Sequence, residues 1–309
     1  MVATGTIIAA NDYNTIQSLA NQVLSVNVGG GLYGYGQTVA SSQVSQYSKI
    51  TVTQWRNLRE DILRCRQHQT GTDLSAQLTY PTQDVKVTAT DREAYLTMMQ
   101  TAALDANRLG APPSSQATRE SLTSTTRTAA WNGSISHSVT VTFPGYNLTS
   151  GAVSADDHIR CYFNTGSRFE ISSSLTGGNS GTVGTKDYSW SVLLSGMGTI
   201  YFNRTNTTTT GSGTAYAIGY QNLTTSDQLI FQKDTTAGYS PNRYRIYARK
   251  PSSASIVFTM YWEDLSGQPN PPYGFDENVT GTTASVVQVY RASGGNVTIP
   301  KPNGSATAL

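Results

Sequence analysis

At 309 residues the chain has room for two domains of ordinary size. Only 13% of its residues are charged and the net charge is +2, which excludes both a disordered polyelectrolyte and the basic footprint of a nucleic-acid-binding protein. A hydrophobic share of 37%, with 18 tyrosines and abundant Thr, Ser, Asn and Gly, suits a pleated, half-buried β surface.

Residues 1–10 lack the basic and long apolar segments of a secretory signal, so synthesis and retention in a cytoplasm are expected. No run approaches the ~20 apolar residues of a membrane-spanning helix. Asn11 or Asp12 then opens the first predicted helix, with Tyr13, Ile16, Leu19, Ala20, Val23 and Leu24 on one stripe. A glycine-rich run over 29–36 ends it.

The second helix is the plainest. Val52, Trp55, Leu58, Ile62, Cys65 and Gln69 recur at steps of three and four, and Gly71 supplies a stop. Residues 76–87 alternate loosely and predict a short strand or an extended arm. A third helix begins with Thr90 and Glu93 in capping-box spacing, carries Tyr95, Met98, Met99, Ala102 and Leu109, and stops at Gly110, Pro112 and Pro113. The Ser/Thr-rich stretch 114–128 is predicted to be a linker.

From Ala129 the period becomes two. Ile135, His137, Val139, Val141 and Phe143 alternate with Ser and Thr, and Pro144-Gly145 turns the chain. Further strands are predicted over 158–163, 168–172, 199–204, 214–219, 228–233, 244–250, 255–262 and 285–291. Polar loops are predicted over 173–184 and 203–213. No ten-residue helical pattern separates these strands, so an antiparallel sandwich or jelly roll is expected. The fold class is therefore α+β: a helical docking region over 1–113, a linker over 114–128, and a β-sandwich with an extended tail over 129–309.

Chemistry-bearing motifs are weak. Gly29, Gly31 and Gly34 satisfy G-x-G-x-x-G, but no strand feeds the run and no acidic residue follows at ~20 positions. His68, His137 and His158 lie in separate elements with no nucleophile elbow nearby. Asp156, Asp157 and His158 supply too few ligands for a metal and suit a solvated turn before a strand. Cys65 and Cys161 are far apart and are expected to be buried free thiols. The enzymatic alternative is a carboxylate pair drawn from Glu263, Asp264, Asp276 and Glu277, which flank a Pro-rich loop over 268–273 with Trp262, Tyr273 and Phe275 near it. On the second helix, Arg56, Arg59, Arg64 and Arg66 oppose Glu60 and Asp61. This is an ordinary polar face, or else an interface with an acidic neighbour.

Several stretches carry a resemblance. They are NDYNTIQSLANQVL near the N-terminus, the Tyr33–Ser45 segment, TVTQWRNLREDILRCRQHQTGTD, and PPYGFDENVTGTTASVVQVYRASGGNVTIP. The helix with Trp55, Leu58, Arg59, Arg66, His68, Gln69 and Gly71 is the most specific of them. Together they resemble virion structural proteins of contractile-tailed marine cyanophages. The resemblance implies a particle-associated protein, localised to the virion after synthesis in the host cytoplasm, and it transfers no catalytic, cofactor or metal residue.

The expected function is thus a structural tail-, neck- or fibre-associated assembly protein, with no enzymatic activity and no cofactor. Its expected partners are other virion proteins and copies of itself, a trimer being favoured, with no nucleic acid and no membrane. Interface residues are expected among Tyr33, Tyr35, Trp55, Arg56, Arg59 and Arg66, with Trp55 favoured slightly as core. The alternatives are a host-surface glycan receptor-binding module, a capsid decoration protein, and a polysaccharide depolymerase.

Overall fold

The structure is a computed structural model and describes residues 8–26, 33–83, 85–104, 110, 114–149, 151–235, 238–266 and 276–309. Among these the chain is α+β, with five α-helices and thirteen strands, and a helical N-terminal region precedes the main sheets. Two compact units form. One comprises 1–118, 145–167 and 291–300; the other comprises 119–144, 168–290 and 301–309. The boundary expected between 113 and 129 is therefore replaced by a discontinuous division.

The first unit is built on three helices. Helix α1 runs Ala10–Leu24, one or two residues earlier than expected, because Asp12 caps from inside: its carboxylate accepts the Ala9 N–H at 3.0 Å. Helix α2 runs Val52–Thr70. Thr51 and Gln54 form a reciprocal capping box, and Gly71 at φ 72° ends it in the left-handed region that glycine adopts without strain. Helix α3 runs Ala89–Leu104, capped by Thr88 and Asp91 in place of the expected Thr90 and Glu93. Its predicted stop at Pro112-Pro113 lies outside the described residues.

The apolar stripes of the three helices meet at Trp55. Its ring makes edge contacts with Tyr13 at 5.3 Å and Tyr95 at 5.5 Å, and all three rings are buried. Residues 33–45 follow as an extended segment held by side chains. Asp61, fully buried, accepts the N–H groups of Ala40 and Ser41 and the Ser41 hydroxyl, and Asn14 pairs with both backbone groups of Val44. Residues 76–87, expected as a strand or arm, form no strand among the described residues; a short 3-10 turn at Ser75–Gln77 precedes an irregular course.

Two later segments belong to this unit. Residues 145–167 supply the hairpin of β3 (Tyr146–Leu148) and β4 (Gly151–Val153), then helix α4 (Ala155–Asn164). The strand expected over 158–163 is thus helical, since Ser154 caps the Asp157 N–H and His158, Ile159 and Tyr162 fill one buried face. Residues 291–300 return to the same unit, where Thr298 pairs through both backbone groups with the Gln37 side chain.

The second unit is a sandwich of two antiparallel sheets. The five-stranded sheet has the order β1 (Ala117–Arg127), β12 (Thr282–Ala292), β5 (Arg168–Thr176), β6 (Ile200–Phe202), β7 (Thr207–Thr209). The six-stranded sheet has the order β13 (Asn303–Ala308), β2 (Ser134–Thr142), β11 (Ser255–Glu263), β10 (Arg243–Ser252), β9 (Gln228–Asp234), β8 (Thr214–Ala215). The expected linker is mostly strand β1, because a Thr/Ser run is as good a β-former as it is a loop when one face can be covered. Helix α5 (Lys186–Met197), capped by Thr185, connects β5 to its antiparallel neighbour β6, and no helix was expected there.

Alternate residues of β2, β10, β11 and β12 are buried, as the period of two requires. Phe258 makes edge contacts with Phe169 and Phe202 across the sandwich. A polar chain crosses the same core: His137 Nδ1 meets the Ser285 hydroxyl at 3.0 Å, Ser285 meets Ser173 at 3.1 Å, and Ser173 meets the Tyr244 hydroxyl at 2.8 Å.

Candidate interaction surfaces and the Lys186 carboxylate cluster

The arginines of α2 turn inward on their own unit. Arg56 Nε donates to the Pro81 carbonyl at 2.8 Å, and Arg59 donates to Leu78 at 3.0 Å and Ser75 at 2.6 Å. Both guanidinium groups flank the Tyr80 ring, at 4.9 and 5.3 Å, and Tyr80 is 55% exposed. Arg64 holds the carbonyls of Thr38 and Asn296 and reaches Asp61, one of the two acids opposed to it on this helix, at 3.4 Å. Arg66 donates to Gln69 and lines a groove of about 630 Å³ with Thr70, Leu74, Gln77, Glu93 and Thr97.

Tyr35 is thereby moved from the expected interface to the core, where Trp55 also lies, as favoured for it. Trp55 and Tyr35 are 4% and 0% exposed and belong to the core. Arg56 and Arg59 fix the backbone of 75–81, because guanidinium forks satisfy carbonyls that no strand partner takes. Tyr33 is half-buried, with its carbonyl accepting from Arg160. Arg66 borders an open groove. Tyr80, which no spacing signal marked, is an exposed aromatic beside these arginines.

The three histidines are all fully buried, His68 and His158 in the first unit and His137 in the second. His158 lies on α4, its Nε2 3.0 Å from the Pro300 carbonyl, so Asp156 and Asp157 open a helix and not a turn before a strand. Cys65 and Cys161 are buried free thiols, and burial pushes the Cys161 thiol up to about 12. Gly29 and Gly31 lie outside the described residues, as do 268–273, Tyr273 and Phe275.

The four carboxylates named in the sequence separate into two places in the sandwich unit. Successive residues of a strand face opposite ways. Glu263 ends β11 on the outer face, paired with Arg245, beside Tyr247 and Tyr261 and a hollow of about 180 Å³ that Asp227 completes. Asp264 faces inward and is 8% exposed. Its Oδ2 accepts from Lys186 Nζ at 2.7 Å and its Oδ1 from the Ser266 hydroxyl at 2.9 Å.

Lys186 is the residue that assembles this cluster, and it was not foreseen. Its ammonium, fully buried, also donates to Asp276 Oδ1 at 2.6 Å, while Asn132 holds Asp276 Oδ2 at 2.7 Å. The Lys186 hydrogen bond, helped by Asn132, holds the Asp276 carboxyl below the usual carboxylate range. Glu277 accepts from the Lys186 backbone N–H at 3.0 Å and from the Tyr239 hydroxyl, whose ionisation is pushed up first by burial and then by Glu277. Asp264 and Asp276 thus share one cation, and Glu263 stands on the other face of the sheet. The sequence carries no spacing signal for this, since Lys186 lies 78 and 90 positions from its two partners.

No family model, no curated protein and no solved structure matches the chain.

Proposed function

We propose that the chain is a structural component of a bacteriophage virion, a tail-, neck- or fibre-associated assembly protein that packs against other virion proteins and copies of itself, with a trimer favoured. The observation that carries this reading is where the polar side chains go. Arg56, Arg59, Asp61, Asn14 and Gln37 bind backbone groups of irregular segments, which fixes loops into a defined surface. A protein whose role is adhesion between neighbours needs such fixed loops, because ordering them on contact would subtract from affinity. The resemblance of the α1 and α2 segments to cyanophage structural proteins points the same way. Among the described residues strand β1 stands at the edge of its sheet, and an edge strand is a place where a neighbouring chain can add.

Antibody against the full chain, applied to purified particles of the virus that encodes it, tests the proposal. Gold at one fixed position on intact particles is expected. Label found only on soluble lysate protein overturns it.

A second reading has its own observation. Tyr247 and Tyr261 stand at 5.7 Å on the outer sheet face beside Arg245 and Glu263, an aromatic and charged hollow of the kind that binds sugar rings. Host-surface glycan binding by the full chain, lost in Tyr261→Ala, would favour this receptor-binding role.

A further inference from the structure

The Lys186 cluster has the geometry of a condensation that needs no added reagent. We propose that Lys186 and Asp264 form an intramolecular amide between Nζ and Cγ, with Asp276 as the catalytic proton carrier, so that a covalent bond ties the two sheets of the sandwich.

Both reacting groups are already in contact and out of water. Lys186 Nζ lies 2.7 Å from Asp264 Oδ2, and the two side chains are 0% and 1% exposed. Fixing two reactants at such range replaces a bimolecular encounter by a unimolecular step. An ammonium and a carboxylate also lose much of their hydration on burial, a penalty that their mutual attraction only partly repays. Condensation removes both charges from the interior, so the burial that disfavours the ion pair favours the amide.

The atoms balance without an oxidant or activating group. One proton passes from the ammonium to a carboxylate, leaving an amine beside the Asp264 carboxylic acid. The amine lone pair attacks Cγ and the C–N bond forms. Asp276, 2.6 Å from Nζ, takes the proton released by nitrogen and returns it to the departing hydroxyl. The C–O bond then breaks and water leaves. Ser266, donating to Asp264 Oδ1 at 2.9 Å, is placed to stabilise the oxyanion of the tetrahedral intermediate. Asn132 fixes Asp276 so that Oδ1 faces Nζ, and the Asp276 side chain, 32% exposed, gives the expelled water a route outward.

The bond would also be well placed mechanically. Lys186 opens α5, which joins β5 to β6 of the five-stranded sheet, and Asp264 directly follows β11 of the six-stranded one. Such a link closes a long loop across both layers, which constrains the unfolded chain more than a short-range link would.

Intact-mass measurement of the purified full chain after denaturation is the test. The expected mass is lower than that of the sequence by one water, after allowance for the N-terminal methionine. Trypsin should fail to cut after Lys186 and should yield a branched peptide joining Lys186 to Asp264. Asp276→Ala is expected to carry the full sequence mass. A wild-type chain at full sequence mass and cut after Lys186 overturns the proposal, and so does water loss mapped to other residues or an Asp276→Ala chain that loses water as completely as the wild type. The wild-type reading stands whether or not Lys186→Ala folds.

Discussion

His137 Nδ1 and the Ser285 hydroxyl meet at 3.0 Å between the two sheets, where neither residue is more than 1% exposed. Burial, with a smaller contribution from the Arg127 charge, lowers the His137 pKa to about 4, and burial lowers that of His68 to about 4 as well. A histidine buried neutral binds its proton more readily in the unfolded chain. Its stabilising effect is therefore complete above the unfolded pKa of about 6.5 and is lost as pH falls from there toward 4. At 1.36 kcal/mol per pKa unit, each histidine accounts for roughly 3 kcal/mol over that window. Urea unfolding between pH 7.5 and 4 should show this loss, and His137→Gln should flatten the curve for the sandwich unit. A stability unchanged down to pH 4 would contradict the assignment.

Trp55 closes the three-helix core through edge contacts with Tyr13 and Tyr95. Trp55→Ala should cost about 3–5 kcal/mol by loss of buried area and creation of a cavity. Trp55→Phe keeps most of the apolar volume and should cost less. Denaturant unfolding followed by far-ultraviolet circular dichroism measures both. Equal effects of the two changes would mean that the ring does not fill this core.

Asp61 has no counterpart among the surface acids, since it serves the Ala40 and Ser41 amides and the Ser41 hydroxyl from a fully buried site. Asp61→Ala strands these donors, at about 1–3 kcal/mol for each one left buried and unpaired. Hydrogen exchange at Ala40 and Ser41 should accelerate far more than exchange within α3. Uniform acceleration across the first unit would show global unfolding instead of local release.

The parts legible in the sequence were those whose signals are local. Helix α2 shows its period and its Gly71 stop within one stretch, and β2, β10 and β11 show a period of two over enough residues to be read. Helix α4 reads as a strand in the sequence because ten residues with apolar neighbours at Ile159, Cys161, Tyr162 and Phe163 fit either period. Only the Ser154–Asp157 cap spacing distinguishes them. Strands β1 and β13 read as linker and tail in the sequence, since Ser, Thr, Gly and Asn become strand only when a neighbour such as β12 or β2 supplies the pairing. The candidate site followed the same rule. Its acids were visible as adjacent pairs, but their sorting onto opposite sheet faces and their capture by Lys186 are tertiary events.

The role proposed for the surface of fixed loops is adhesion within a particle. Quantitative mass spectrometry of gradient-purified particles, washed in high salt and scaled to the major capsid protein, measures it most directly. The account predicts a fixed number of copies per particle that survives washing. A chain that is absent from particles, or that washes away in variable traces, contradicts it.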